Sequence, residues 1–151
     1  MINIERTITI HRPMGEVFAY LSDVEHGPEY ISGQREAHKT SAGPMGIGTT
    51  FASTGKFLRR SATSTVTEYE PDRRLAWKET SGARAATAWS FEPSGPSTRV
   101  TFTRVSDAPG LLGLAEPLMA KLANGQIDHD LGALKELLAV SRKPASMAKG
   151  W

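Results

Sequence analysis

Glu79 and Arg104 are the residues whose types and spacing most suggest chemistry in this chain. Each continues an alternating apolar run, in phase with its apolar side. Glu79 follows Leu75 and Trp77, and Arg104 follows Val100 and Phe102. Residues two apart on a strand share a face, so both charges point the way the apolar side chains do. Such a pair is either a rim ion pair worth about 0–1 kcal/mol or a clamp that orients a ligand's polar head. Glu79 is also the one inward carboxylate available as a general acid or base. It is a weak candidate, and the catalytic residues are otherwise unknown. Glu68 qualifies only if its strand is bulged.

Other chemistries find little support. There is no cysteine, hence no disulfide, thiolate ligand or thiol nucleophile. No serine sits in a Gly-x-Ser-x-Gly string, as a nucleophile elbow would require. His11, His26, His38 and His129 are far apart, and His129 lies between Asp128 and Asp130 on a side expected to face water. No histidine and carboxylate spacing suggests a metal, and no cofactor is expected. The Gly43, Gly46 and Gly48 turn runs into a strand rather than a helix N-terminus, so it reads as a structural turn and not a phosphate cradle. Eighteen basic residues against 16 acidic ones leave a net charge of +2, too small to indicate nucleic acid as a partner. No run of ~18 apolar residues exists to span a membrane, and Met1–Arg6 does not resemble a signal peptide. A cytoplasmic protein is the simpler expectation.

The elements that must position these residues are legible from periodicity. Ile2, Ile4, Ile8 and Ile10 alternate with polar residues and predict a first strand, interrupted by Arg6. Pro13 and Glu16 open a short helix with Val17, Phe18 and Leu21 on its apolar side. Ser22-Asp23 caps a second helix, expected over 24–31. Six strands follow, over 34–40, 49–57, 61–69, 74–80, 85–91 and 98–105. A closing helix is expected over 111–140, with Leu112, Met119, Ala120, Ala123, Ile127, Leu131, Leu134 and Leu138 on one side. That stripe is small near its start and bulky near its end, which predicts tight packing at one end of the sheet and space at the other. Leu111, Leu114, Leu118 and Leu122 form a second apolar set, readable as a portal, a partner surface or local packing.

With 151 residues, 39% hydrophobic, the chain fits one domain. We expect it over residues 1–140, with a flexible tail over 141–151. Six consecutive strands pair as antiparallel neighbours. Turns at 93–96 and at Ser81-Gly82 predict Phe91 opposite Thr98, Ala85 opposite Arg104, and Trp77 opposite Thr87. Glu79 and Arg104 then share a row two strands apart, about 9.6 Å between backbones. Lys56, Arg59, Arg60 and Arg84 fall in turns at the same end and would favour an anionic ligand.

Several strings strengthen this outline. The chain resembles the START-like (SRPBCC, helix-grip, birch-pollen-allergen-like) superfamily, and most closely the bacterial polyketide cyclase/dehydrase and lipid-transport proteins. The resemblance rests on Ile8-Thr9-Ile10-His11-Arg12-Pro13 leading into Glu16-Val17-Phe18-Ala19-Tyr20-Leu21, and on Gly46-Ile47-Gly48-Thr49. Thr67-Glu68-Tyr69-Glu70-Pro71, Ser97-Thr98-Arg99-Val100-Thr101 and Asp130-Leu131-Gly132-Ala133-Leu134-Lys135 extend it. It implies an α+β helix-grip fold: a curved seven-stranded antiparallel sheet, two short helices and one long C-terminal helix enclosing an apolar cavity. It also implies binding or transport of a small hydrophobic molecule such as a lipid, polyketide or quinone. The alternative is a polyketide aromatase/cyclase or dehydratase using a cavity carboxylate. Joining this to the face assignments, the expected ligand-binding residues are Phe51, Trp77, Thr87, Trp89, Phe102, Arg104, Ala120 and Ala123. Phe57 and Phe91 are further inward aromatics, and Tyr69 could offer a hydroxyl. A monomer or weak homodimer is expected.

Overall fold

The structure, a computed structural model, describes residues 1–56, 61–81, 84–107 and 116–149. For Glu116 and for residues 140–149 it describes the backbone course alone. Phe57, Arg59, Arg60, Leu111, Leu112 and Leu114 lie outside the described residues. Strand β1 (Ile2–Ile10) leads into helix α1 (Met14–Ser22). The second helix is split into a 3-10 turn (Val24–His26) and α2 (Gly27–Tyr30). The Asp23 side chain accepts from Glu25 N at 3.1 Å and caps that turn. Six strands follow: β2 (Gln34–Lys39), β3 (Thr50–Gly55), β4 (Ser61–Glu70), β5 (Arg74–Glu79), β6 (Ala85–Ser94) and β7 (Ser97–Ser106). Helix α3 (Glu116–Lys149) closes the order.

The strands form one antiparallel sheet in the order β1-β7-β6-β5-β4-β3-β2, curled into a half-barrel. Burial in β1, β6 and β7 alternates as period-2 patterning requires. One end of the inward face is packed solid. Ile10, Leu75, Val100 and Leu134 are fully buried there with Phe91. Phe18 of α1 meets Phe91 and Tyr69 edge-on, at 5.5 and 5.4 Å between ring centres.

Arg6, the break in the first strand's apolar run, ties α3 down. Its Nε donates to Asp128 and its Nη2 to Asn124, each at 2.6 Å. At the other end of β1, buried Arg12 donates through Nη2 to the Ala139 carbonyl at 2.8 Å. Its own carbonyl accepts from the buried Thr98 hydroxyl at 2.7 Å. Arg12→Ala should therefore loosen the far end of α3 and cost about 1–3 kcal/mol. Urea unfolding monitored by circular dichroism would show it as a lower midpoint, and an unchanged midpoint would refute it.

Two expectations need correction. First, the β6–β7 register is two residues off the expected one. Ser94 pairs with Ser97, Phe91 with Val100 and Thr87 with Arg104. A tight two-residue loop makes the turn, because Gly95 adopts φ 60°, a left-handed angle open to glycine. A shift of two preserves which face each residue takes, so only neighbours along the row change. Second, β4 does contain a bulge, with the register shifting between Val66 and Glu68. It turns Tyr69 inward, opposite Leu75, and leaves Glu68 with Arg74, at 2.6 Å. Glu68 is therefore not a cavity carboxylate. The backbone of α3 stays helical through Lys149.

Candidate functional site

At the other end of the inward face the sheet and α3 stand apart. The space between them is a cavity of about 310 Å³. Its walls follow from strand phase. Phe51 and Ser53 come from β3, and Ser64 from β4. Trp77 and Glu79 come from β5, Thr87 and Trp89 from β6, and Phe102 and Arg104 from β7. These are inward residues of five adjacent strands, two apart wherever a strand gives a pair. Trp77, Thr87 and Arg104 form one straight row across β5, β6 and β7.

The aromatic rings build the wall by edge-to-face packing. Phe51 meets Trp77 at 5.4 Å and 88°, and Trp89 meets Phe102 at 4.7 Å and 60°. Trp89 is 2% exposed, and its Nε1 has no hydrogen-bond partner among the described residues. A buried donor left this way is uncommon and calls for an acceptor.

Arg104 is the polar centre of the wall. Its Nη1 donates to Thr87 Oγ1 at 3.0 Å and its Nη2 to Glu79 Oε2 at 3.1 Å. The expected Glu79–Arg104 pair forms, and the corrected register adds Thr87 as its third member. The side chain of Glu79 is only 15% exposed, against 34% for Arg104.

The remaining wall comes from Tyr30, Ile31, Gly33 and Gln34, around the α2–β2 connection, and from Gln126, Ile127, Asp130 and Leu131 of α3. Two contacts hold these pieces together. Asp130 Oδ1 accepts from Ser32 N at 3.1 Å, and the Gln126 amide meets the Ser32 hydroxyl. Burial pushes the Tyr30 phenol above its ordinary pKa, and the Asp130 charge adds to that. The Tyr30 hydroxyl therefore stays protonated.

Asp130 is the residue sequence reasoning missed. Its neighbours Asp128 and His129 suggest a water-facing side, yet Asp130 is 8% exposed. The signal was present: it stands three residues after Ile127 and four before Leu134, which places it on the stripe's edge. Ala120 and Ala123 go the other way. They are half-buried but do not line the cavity, whose helical wall is the turn from Gln126 to Leu131. A stripe tells which side of a helix faces the sheet, not where along its axis the cavity lies. Tyr69 packs on Phe18 and is not in the wall.

The basic rim is only partly described. Lys56 and Arg84 are exposed and do not line the cavity. None of the four histidines reaches it either. His11 bonds Ser97 Oγ at 3.0 Å, and His26 stacks on Tyr20 at 4.2 Å. His38 and His129 are exposed. Gly43 and Gly48 take φ of 87° and 90°, which suits a structural turn. Among the described residues no group of three or more His, Asp or Glu could hold a metal, and no helix is long and apolar enough to cross a membrane.

A curled antiparallel sheet gripping one long helix around a cavity defines the START-like, helix-grip class. Solved structures share it. The protein TTHA0849 from Thermus thermophilus is 20% identical, with a TM-score of 0.76 over 93% of this chain and 99% of that one. A START superfamily protein from Mycobacterium smegmatis is 15% identical, with a TM-score of 0.72 over 90% and 96%. The di-domain ARO/CYC protein BexL of the BE-7585A biosynthetic pathway is 17% identical, with a TM-score of 0.71 over 90% of this chain and 46% of its own. At these identities the likeness establishes the fold alone. No curated protein matches the sequence. The model of the polyketide cyclase / dehydrase and lipid transport family matches residues 1–139, and the chain belongs to that family.

Proposed function

We propose that the protein binds or carries a small hydrophobic molecule, lipid, polyketide or quinone-like, in this cavity. The observation that carries the reading is the aromatic-walled space of about 310 Å³ with the Arg104–Glu79–Thr87 group set into its wall. Small-molecule sites combine apolar walls with a few polar groups in this way. Affinity comes from apolar area, at about 25 cal/mol per Å² buried, and the polar group orients the ligand.

A second reading, a polyketide cyclase or dehydratase, is favoured by the two carboxylates on the wall, Glu79 and Asp130. Such chemistry needs a cavity acid or base. The fold likeness to the ARO/CYC protein BexL is compatible with it.

Native mass spectrometry of freshly purified protein, followed by solvent extraction, tests the first reading. A co-purifying apolar molecule is expected. An apo mass, with no calorimetric binding of 2-naphthamide as a probe, would overturn it. Arg104→Ala is expected to weaken binding of the extracted molecule about tenfold, the loss of one hydrogen bond from a charged donor. Unchanged affinity would dispose of the clamp. Conversion of that molecule by the wild type, abolished in Glu79→Gln or Asp130→Asn, would move the enzyme reading ahead.

A further inference from the structure

We infer that the cavity selects by charge: it takes a neutral ring compound bearing a carbonyl and rejects carboxylates. This rests on the cavity reading above and adds the ligand's charge class.

A single guanidinium in an apolar wall ordinarily marks an anion site. Here it is already shared, with two of its five N–H groups engaged. Arg104 donates through Nη1 to Thr87 and through Nη2 to Glu79. An incoming carboxylate must share Arg104 with Glu79, 15% exposed, and so lies beside a second negative charge. Two carboxylates on one guanidinium repel each other, and the low exposure of Glu79 leaves that repulsion poorly screened.

The rest of the wall works in the same direction. The charged groups lining the cavity among the described residues are Arg104, Glu79 and Asp130. One positive against two negative charges leaves the wall net negative. Asp130 is 8% exposed, so solvent screens it poorly. Of the basic residues that could have favoured an anion, Lys56 and Arg84 are exposed and outside the wall.

The neutral partner is asked for by Arg104, whose remaining N–H groups can donate to a ligand on this wall. A carbonyl oxygen accepts from one of them without bringing a second negative charge beside Glu79. A cation fails on other grounds. It loses its hydration on entry, and it cannot accept a hydrogen bond from Arg104. The volume, about ten waters at ~30 Å³ each, suits one or two fused rings.

The test uses three probes of one shape: 2-naphthamide, 2-naphthoate and 2-naphthylmethylammonium, titrated calorimetrically into the full chain at neutral pH. The amide is expected to bind at least tenfold tighter than either ion. Glu79→Gln frees Arg104 and removes a charge, so it should narrow the amide-to-carboxylate ratio at least threefold. Asp130→Asn should narrow it too, and serves if the first variant fails to fold. Naphthoate or the ammonium probe binding as well as the amide would overturn charge selection while leaving the cavity reading standing. No binding of any probe would overturn both.

Discussion

Phe91→Ala is expected to destabilise the protein by about 3–5 kcal/mol, the range for deleting a fully buried aromatic ring. Phe91 is 2% exposed at the packed end of the sheet. It lies opposite Val100 on β7 and meets Phe18 of α1 edge-on at 5.5 Å. The ring's removal takes away area, the aromatic contact and the partner surface of a helix together. Strand neighbours are held by their ladders and cannot collapse far into the void. A natural domain is stable by only about 5–15 kcal/mol, so this one change is a large share. Urea titration should show a much lower midpoint with a similar slope. A loss below about 1 kcal/mol would mean that this end of the sheet is not the core described above.

Ser64→Phe is expected to have the opposite profile, abolishing ligand binding at modest cost in stability. Ser64 is 4% exposed and faces the cavity between Phe51 and Glu79. It is small where its neighbours in the row are large, and that difference is part of why space remains. A benzyl group adds roughly three water volumes at ~30 Å³ each, about a third of the cavity. The new ring fills space that already exists, so overpacking costs should stay near the lower end of about 1–3 kcal/mol. Affinity for 2-naphthamide should fall about a hundredfold, which is about 2.7 kcal/mol. Retained affinity in a folded Ser64→Phe protein would place binding elsewhere. The pair of variants tests the two ends of one sheet separately, one for stability and the other for binding.

The Glu79–Arg104 pair forms although the β6–β7 register differs from the expected one by two residues. The turns predict Arg104 opposite Ala85, and it stands opposite Thr87. It still meets Glu79, because a guanidinium on a long stem spans a two-residue displacement and the inward face was unchanged. Glu68 and Asp130 show where the derivation stops. A single extra residue at Thr67 decides the face of Glu68, and no composition marks it. Asp130 looks solvated because its sequence neighbours are polar, whereas its surroundings are set by the segment around Ser32, nearly a hundred residues away.

The sequence by itself determined the order of elements, the strand faces outside the β4 bulge and the aromatic character of the inner wall. Those follow from local periodicity, since a strand alternates every residue and a helix returns every 3.6. Tertiary structure alone decided the β6–β7 register, which turn of α3 reaches the cavity, and which carboxylates face it. These depend on one loop glycine, one bulge and the axial position of a helix across the sheet. Periodicity repeats along an element, so it carries a residue's side but not its place along the axis. Only packing supplies that coordinate.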